Sequence, residues 1–183
     1  VKVKICGLRR AEDIEMVNEL HPDYVGFVFA DSKRKVDAEK AKLLRKKLIR
    51  DIPAVGVFVN EDLGTICSLC RQEIIQMVQL HGDEDENYIN ELKKLLPGIP
   101  VIKAVRVKSK EQILEAEKSE CDYLLLDTYV KDMYGGSGKV FDKKMIPELE
   151  KPYFLAGGLN ASNVIENIRA CHPYAVDVSS AVE

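Results

Sequence analysis

Eight short apolar runs, most of them followed by an amphipathic segment, constrain the fold more than any other feature of this chain. They are Val1–Cys6, Tyr24–Phe29, Ala54–Val59, Met77–Leu80, Val101–Val107, Tyr123–Asp127, Tyr153–Ala156 and Ala175–Val178. Their wealth of Val, Ile, Phe and Leu reads as strands buried on both faces, as in parallel sheets. Between them, Glu12–Leu20, Ala38–Ile49, Leu63–Glu73, Glu86–Leu96 and Asn163–Cys171 place apolar residues at helical spacing, with Asn160 or Ser162 positioned to cap the last. Strand–helix alternation predicts a parallel sheet with right-handed crossovers. An open doubly wound sheet and a closed (β/α)8 barrel both satisfy that rule. Eight strands and no GxGxxG after the first favour the barrel.

No low-complexity linker interrupts the pattern, so residues 1–183 read as one α/β barrel domain. The sequence stops just after the eighth run. The eighth helix expected of a barrel is missing from it, so either the sequence is shortened or something else covers that face of the first and eighth strands.

Charge and cysteine content narrow the function classes. A net charge of −3 without a long basic stripe argues against nucleic acid as partner. No apolar run reaches the roughly 18 residues of a membrane span, and the first residues alternate like a strand rather than a signal peptide, so no membrane partner is expected. Five cysteines, an odd number, point to free thiols in a reducing cytoplasmic setting. Cys67 and Cys70 form a Cys-x-x-Cys pair, but no second ligand pair accompanies it and it lies within a helical pattern. Two small buried helix residues are the expectation, and no metal.

In such barrels chemistry sits at the C-terminal ends of the strands. The first strand ends in Cys6-Gly7. Period-two alternation puts Lys2, Lys4 and Cys6 on one face and Val1, Val3 and Ile5 on the other, so Cys6 faces the barrel mouth with Lys4 favouring its thiolate. Such a thiolate is a general base or nucleophile; a small buried filler is the other reading. Asp127 closes "YLLLD", where partial burial raises a carboxyl pKa and suits a proton donor; the alternative is a strand-end carboxylate capping a loop. "AGGLN" (Ala156–Asn160) and "SSAVE" (Ser179–Glu183) follow strands seven and eight, the loops that frequently make a phosphate site from backbone N–H groups. Arg34 can grip a carboxylate through paired hydrogen bonds or sit in a solvated basic loop. "YGGSGKVFD" (Tyr134–Asp142) lacks P-loop spacing and reads as a flap. His81 reads as a lining or structural residue.

Taken together, "KICG" (Lys4–Gly7), "VGFVFADSKRKV" (Val25–Val36), "VQLHGDE" (Val78–Glu84), "IKAVRV" (Ile102–Val107), "LLLDTYV" with "GGSGKVFD" (Leu124–Asp142), "LAGGL" (Leu155–Leu159) and "VDVSSAVE" (Val176–Glu183) resemble the phosphoribosylanthranilate isomerase family over the whole chain. The resemblance implies a TIM barrel and a cofactor-free Amadori rearrangement of N-(5-phosphoribosyl)anthranilate in tryptophan biosynthesis. It implies Cys6 as general base, Asp127 as general acid and Arg34 on the anthranilate carboxylate. Gly157, Gly158, Ser180 and Ala181 are placed to hold the phosphate of a small phosphorylated substrate. Two positions depart from the family pattern: Ser32-Lys33-Arg34 replaces Ser-Pro-Arg, and Ala181 replaces glycine. The rivals are a related phosphosugar isomerase such as ProFAR isomerase, whose site resembles two aspartates, and a phosphate-binding barrel without catalysis. His21, His81 and His172 are too scattered to suggest a metal-dependent epimerase. The expected assembly is a monomer or homodimer.

Overall fold

The computed structural model describes residues 1–128 and 146–183. Eight parallel strands close into one ring: β1 (Lys2–Cys6), β2 (Tyr24–Val28), β3 (Ala54–Phe58), β4 (Met77–Leu80), β5 (Val101–Val107), β6 (Tyr123–Thr128), β7 (Tyr153–Ala156) and β8 (Ala175–Val178). The closing pair is β1 with β8, in a register that sets Lys4 beside Asp177. The described helices are α1 (Ala11–Leu20), α2 (Ala38–Lys47), α3 (Leu63–Arg71), α4 (Glu86–Leu95), α5 (Lys110–Glu117) and α6 (Val164–Cys171). The eight apolar runs thus become the eight strands, each to within a residue. After β8 the chain makes a short 3-10 turn, Ser180–Val182, and ends at Glu183. The glycine-rich Tyr134–Asp142 lies outside the described residues.

Two expectations are corrected. Helix α5 is absent from the periodicity reading because only Ile113 of its eight residues is buried, too little apolar surface to leave a stripe. Helix α6 takes Asn163 as its N-cap, not Asn160 or Ser162. Asn160 instead folds the preceding turn, its Oδ1 accepting from the backbone N–H of Ser162.

Side chains alternate across each strand and build two cores. Outside the ring, residues such as Val25, Phe27, Phe58, Val78 and Leu124 pack against the helices together with Ile14, Ile66 and Leu92. Cys67 and Cys70 belong to that layer on α3. Inside the ring, Tyr24, Val55, Met77, Ile102, Leu125 and Phe154 fill the barrel. Its N-terminal end is plugged by aromatic rings: Phe154 lies 5.6 Å from Tyr24 and Tyr123 and 5.8 Å from Tyr174, in tilted and edge-on geometries.

The opposite end is organised by capping. Asp37, Asp62, Asp85 and Ser109 each accept a hydrogen bond from a backbone N–H in the first turn of α2, α3, α4 and α5. Each cap fixes the loop that leaves the C-terminal end of the preceding strand. For α1 the acceptor is Asp13, whose Oδ2 takes the backbone N–H groups of Arg9 and Arg10 while Oδ1 takes Arg10 Nε. Burial acts to raise the Asp13 pKa, but these hydrogen bonds outweigh it and hold the carboxyl below its ordinary 3.8. Because the folded value is depressed, the stabilisation is present above 3.8 and is lost as the pH falls through the folded value. Asp13→Asn is therefore expected to cost about 1–2 kcal/mol in urea unfolding at neutral pH, with the gap to the parent closing as the pH is lowered below the carboxylate range.

Candidate active site

The sequence Cys6-Gly7 ends β1 with a thiol at the barrel mouth because the next residue must turn the chain. Gly7 has φ +94°, and the Arg34 side chain passes so near that a Cβ there would lie 2.4 Å from Arg34 Cδ. The N–H groups of Gly7 and Leu8 both donate to the carbonyl of Gly26 on β2. Gly26 is equally constrained: a Cβ on it would lie 2.5 Å from Cys6 Sγ. One glycine thus lets Arg34 cross the mouth and the other makes room for the sulfur. Of the basic run after β2, Lys33 and Lys35 are exposed and Arg34 is the one turned inward, its Nε donating to the carboxylate of Glu183.

Below the thiol lies a buried cation. Lys4 is fully buried inside the ring, and its Nζ donates to Asp177 Oδ2 and to Gln79 Oε1, both at 2.9 Å, while also reaching the Cys6 thiol. Burial works against the ammonium, yet Asp177 and Cys6 together hold its pKa above the ordinary lysine value. Burial pushes the Asp177 carboxyl up, opposed by Lys4. Burial likewise pushes the Cys6 thiol up, with Lys4 pulling it down and Asp177 adding to the rise.

One positive charge therefore faces two acidic groups in a space that disfavours a second negative charge. Asp177, in direct contact with Nζ, is the anion, and Cys6 keeps its proton at rest. Lys4 favours the thiolate, as its place on the same strand face implies, but burial, with Asp177 adding to it, outweighs that pull. Asp177 Oδ1 has no hydrogen-bond partner among the described residues, so the ion pair is satisfied on one side only.

A polar chain runs from this ion pair to the far wall. Gln79 Nε2 lies 3.0 Å from His81 Nδ1, and His81 Nε2 lies 3.4 Å from Asp127 Oδ2. Asp127 is the penultimate residue of β6, in phase with the inward-facing Leu125, and its side chain is one-third exposed, so its burial is modest. Strands β1 and β6 are three steps apart round the ring, and the chain of contacts through Lys4, Gln79 and His81 joins their ends. The turn that follows His81 is tied down by Glu84, which accepts from the backbone N–H groups of Asn60 and Gly82 and from Lys103 Nζ at 2.8 Å.

The loops after β7 and β8 are neighbours because those strands pair. Gly157 and Gly158 turn at φ +87° and +65°. The carbonyl of Gly158 accepts from the side-chain amides of Asn160 and Asn163, which orients that turn. Ser180 and Ala181 sit exposed in the 3-10 turn. Ala181 is not among the residues with positive φ, so its methyl group imposes no strain.

Sequence reasoning named Cys6 and Asp127 at strand ends and Arg34 in the loop after β2, but passed over Gln79 and Asp177. The signal was present: each is a polar residue inside an apolar run, two residues before or after an inward-facing position. Among the described residues no group of His, Cys, Asp or Glu is placed to hold a metal ion, and no helix is long and apolar enough to cross a membrane.

A family model described as N-(5'phosphoribosyl)anthranilate (PRA) isomerase matches residues 3–183. The N-(5'-phosphoribosyl)anthranilate isomerase of Lachnoclostridium phytofermentans is 54% identical, the alignment covering all of this chain and 89% of that protein. The crystal structure of phosphoribosyl anthranilate isomerase from Thermotoga maritima superposes with a TM-score of 0.87 at 38% identity, over 100% of this chain and 89% of that one. A second crystal structure of such an isomerase, in complex with reduced 1-(o-carboxyphenylamino)-1-deoxyribulose 5-phosphate, gives a TM-score of 0.82 at 34% identity with the same coverage.

Asp177→Asn releases Lys4 to the thiol, so alkylation of Cys6 by iodoacetamide, followed by mass spectrometry across pH, is expected to accelerate at neutral pH. Lys4→Met is expected to slow it.

Proposed function

Because the chain belongs to the N-(5'-phosphoribosyl)anthranilate isomerase family, and so is an isomerase of tryptophan biosynthesis, we propose that Cys6 and Asp127 are the base and acid of its Amadori rearrangement, with Arg34 on the substrate carboxylate. The observation that carries this reading is the polar chain that links the thiol end of β1 to the carboxyl end of β6 across one mouth.

The reaction needs a proton on the furanose ring oxygen, so that the C1–O bond breaks and the nitrogen lone pair forms a protonated Schiff base. Asp127, partly exposed at the rim, supplies that proton and becomes a carboxylate. As the cationic Schiff base forms, the Cys6 thiol loses its proton to solvent; the resulting thiolate then takes the C2 proton, and the electron pair moves to give a neutral enolamine. Return of a proton to C1 and loss of the C2 hydroxyl proton yield the ketone and restore both groups. Acid and base on opposite walls, in different surroundings, suit this division of labour. Burial makes the Cys6 thiolate scarce and strongly basic; arrival of the cationic Schiff base adds the positive charge that Lys4, shared with Asp177, does not fully provide.

Arg34 is suited to the aromatic carboxylate because it already takes a carboxylate, Glu183, through Nε, and a guanidinium has further N–H donors for a planar acid. Backbone N–H groups of Gly157, Gly158, Ser180 and Ala181 are the phosphate anchor. The chemistry calls for no metal or cofactor. We place the enzyme in the cytoplasm as one barrel domain, acting as a monomer or homodimer. ProFAR isomerase chemistry is the weaker reading because a thiol, not a carboxylate, stands at the end of β1.

A coupled fluorescence assay of phosphoribosylanthranilate consumption tests the assignment. Cys6→Ser and Asp127→Asn are each expected to lower kcat by at least about a hundredfold with the fold intact; near-normal turnover in either discards that role. Arg34→Ala is expected to weaken substrate binding by about 2–3 kcal/mol, read as a raised KM.

A further inference from the structure

We propose that Gln79 is a positioning residue that fixes His81 as its Nε2-protonated tautomer, so that the ring donates a hydrogen bond to Asp127 Oδ2. The inference rests on Asp127 being the acid, and it assigns the acidic proton to the other carboxyl oxygen, Oδ1.

A lysine ammonium has donors only, so the atom of Gln79 that lies 2.9 Å from Lys4 Nζ must be its carbonyl oxygen. Gln79 is 1% exposed and sits between Lys4 and His81, so its amide NH2 is left facing the ring, 3.0 Å from Nδ1. An amide nitrogen cannot accept. Nδ1 must therefore offer its lone pair, and the neutral ring carries its proton on Nε2. That nitrogen lies 3.4 Å from Asp127 Oδ2, a long contact of the kind that tightens when substrate is bound.

The consequence is chemical. Nε2 already holds a proton and the Nδ1 lone pair is occupied, so the ring has no free site to take the proton of Asp127. A freely turning imidazole at this distance would compete with the sugar oxygen for it. With Oδ2 accepting from Nε2–H, the carboxyl proton resides on Oδ1, and the carboxylate formed on ring opening keeps a neutral donor. That donor offsets the repulsion from Asp177, whose carboxyl also senses both Asp127 and His81. The groups facing the ring are thus Gln79 on its own strand, Asp127 on β6, Asp177 on β8 and, through Gln79, Lys4 on β1. Arg106 and Lys103 on β5 line the cavity that His81 borders.

The test is nitrogen-15 NMR of the histidine rings at neutral pH. Three histidines are to be resolved, and the other two, His21 and His172, are exposed helix C-caps that can be replaced for assignment. The wild-type protein is expected to show His81 with an unprotonated Nδ1 and a protonated Nε2. Gln79→Glu keeps the acceptor for Lys4 but turns a second acceptor toward the ring. Nδ1 should then gain a proton, and kcat should fall by about ten- to a hundredfold with KM within about twofold. A wild-type ring with its proton on Nδ1, or on both nitrogens, overturns the proposal, as does an unchanged ring and kcat in Gln79→Glu. The wild-type spectrum needs no active enzyme and no variant that folds, so it stands even if Asp127→Asn shows the acid to be another group.

Discussion

One buried ammonium organises the upper half of this barrel. Lys4 lies among residues far from it in sequence, 75 positions from Gln79 and 173 from Asp177, and every one of its described partners is inside the ring. A buried ion pair is weak evidence for stability, since desolvating two charges costs several kcal/mol and apolar side chains can fill the same volume. The barrel itself supplies the comparison. At its other end the interior is closed by Tyr24, Tyr123, Phe154 and Tyr174, which pack without buried charge. The polar layer sits between that plug and the mouth, so the interior grades from packing to chemistry along its axis, in keeping with the division of labour between barrel ends.

That layer limits the charge states the mouth can adopt. With Asp177 taking the ammonium, neither the thiol of Cys6 nor the carboxyl of Asp127 receives a whole compensating charge from Lys4. Both are left to respond to what enters the site. A substrate that becomes cationic midway through its reaction changes the balance at the moment the base is needed. Hydrogen-bonded carboxylates tie together the loops around these groups. Glu84 gathers the loops after β3 and β4 and the lysine of β5, and it is held below the ordinary carboxylate range because Lys103 and backbone N–H groups outweigh its burial. Asp13 does the same for the loop that carries Gly7.

The strands were legible because parallel strands buried on both faces leave continuous apolar runs, and their ends named Cys6 and Asp127 without further help. Helix α5 was not, since "KEQILEAE" buries little, although Ser109 stood before it as a cap. The thiol was legible in place but not in charge. Lys4 was visible two residues away on the same face, whereas Asp177 became its partner only through closure of the ring. Adjacency of a first and an eighth strand has no local signature. Gln79 was similarly visible as a polar residue in "MVQL" and opaque in function, because its role depends on which of its two amide atoms faces Lys4.

Closure and chemistry are therefore one event. In an open sheet β1 and β8 are edges, Lys4 and Asp177 are solvated separately, and nothing orients Gln79. When the ring closes, the β1–β8 register sets Lys4 against Asp177, the ammonium selects the Gln79 carbonyl, and the amide selects the lone pair of His81. Each step leaves one arrangement because a lysine cannot accept and an amide nitrogen cannot accept either. The state of the imidazole beside Asp127 is thus dictated by a strand pairing made between the two ends of the chain.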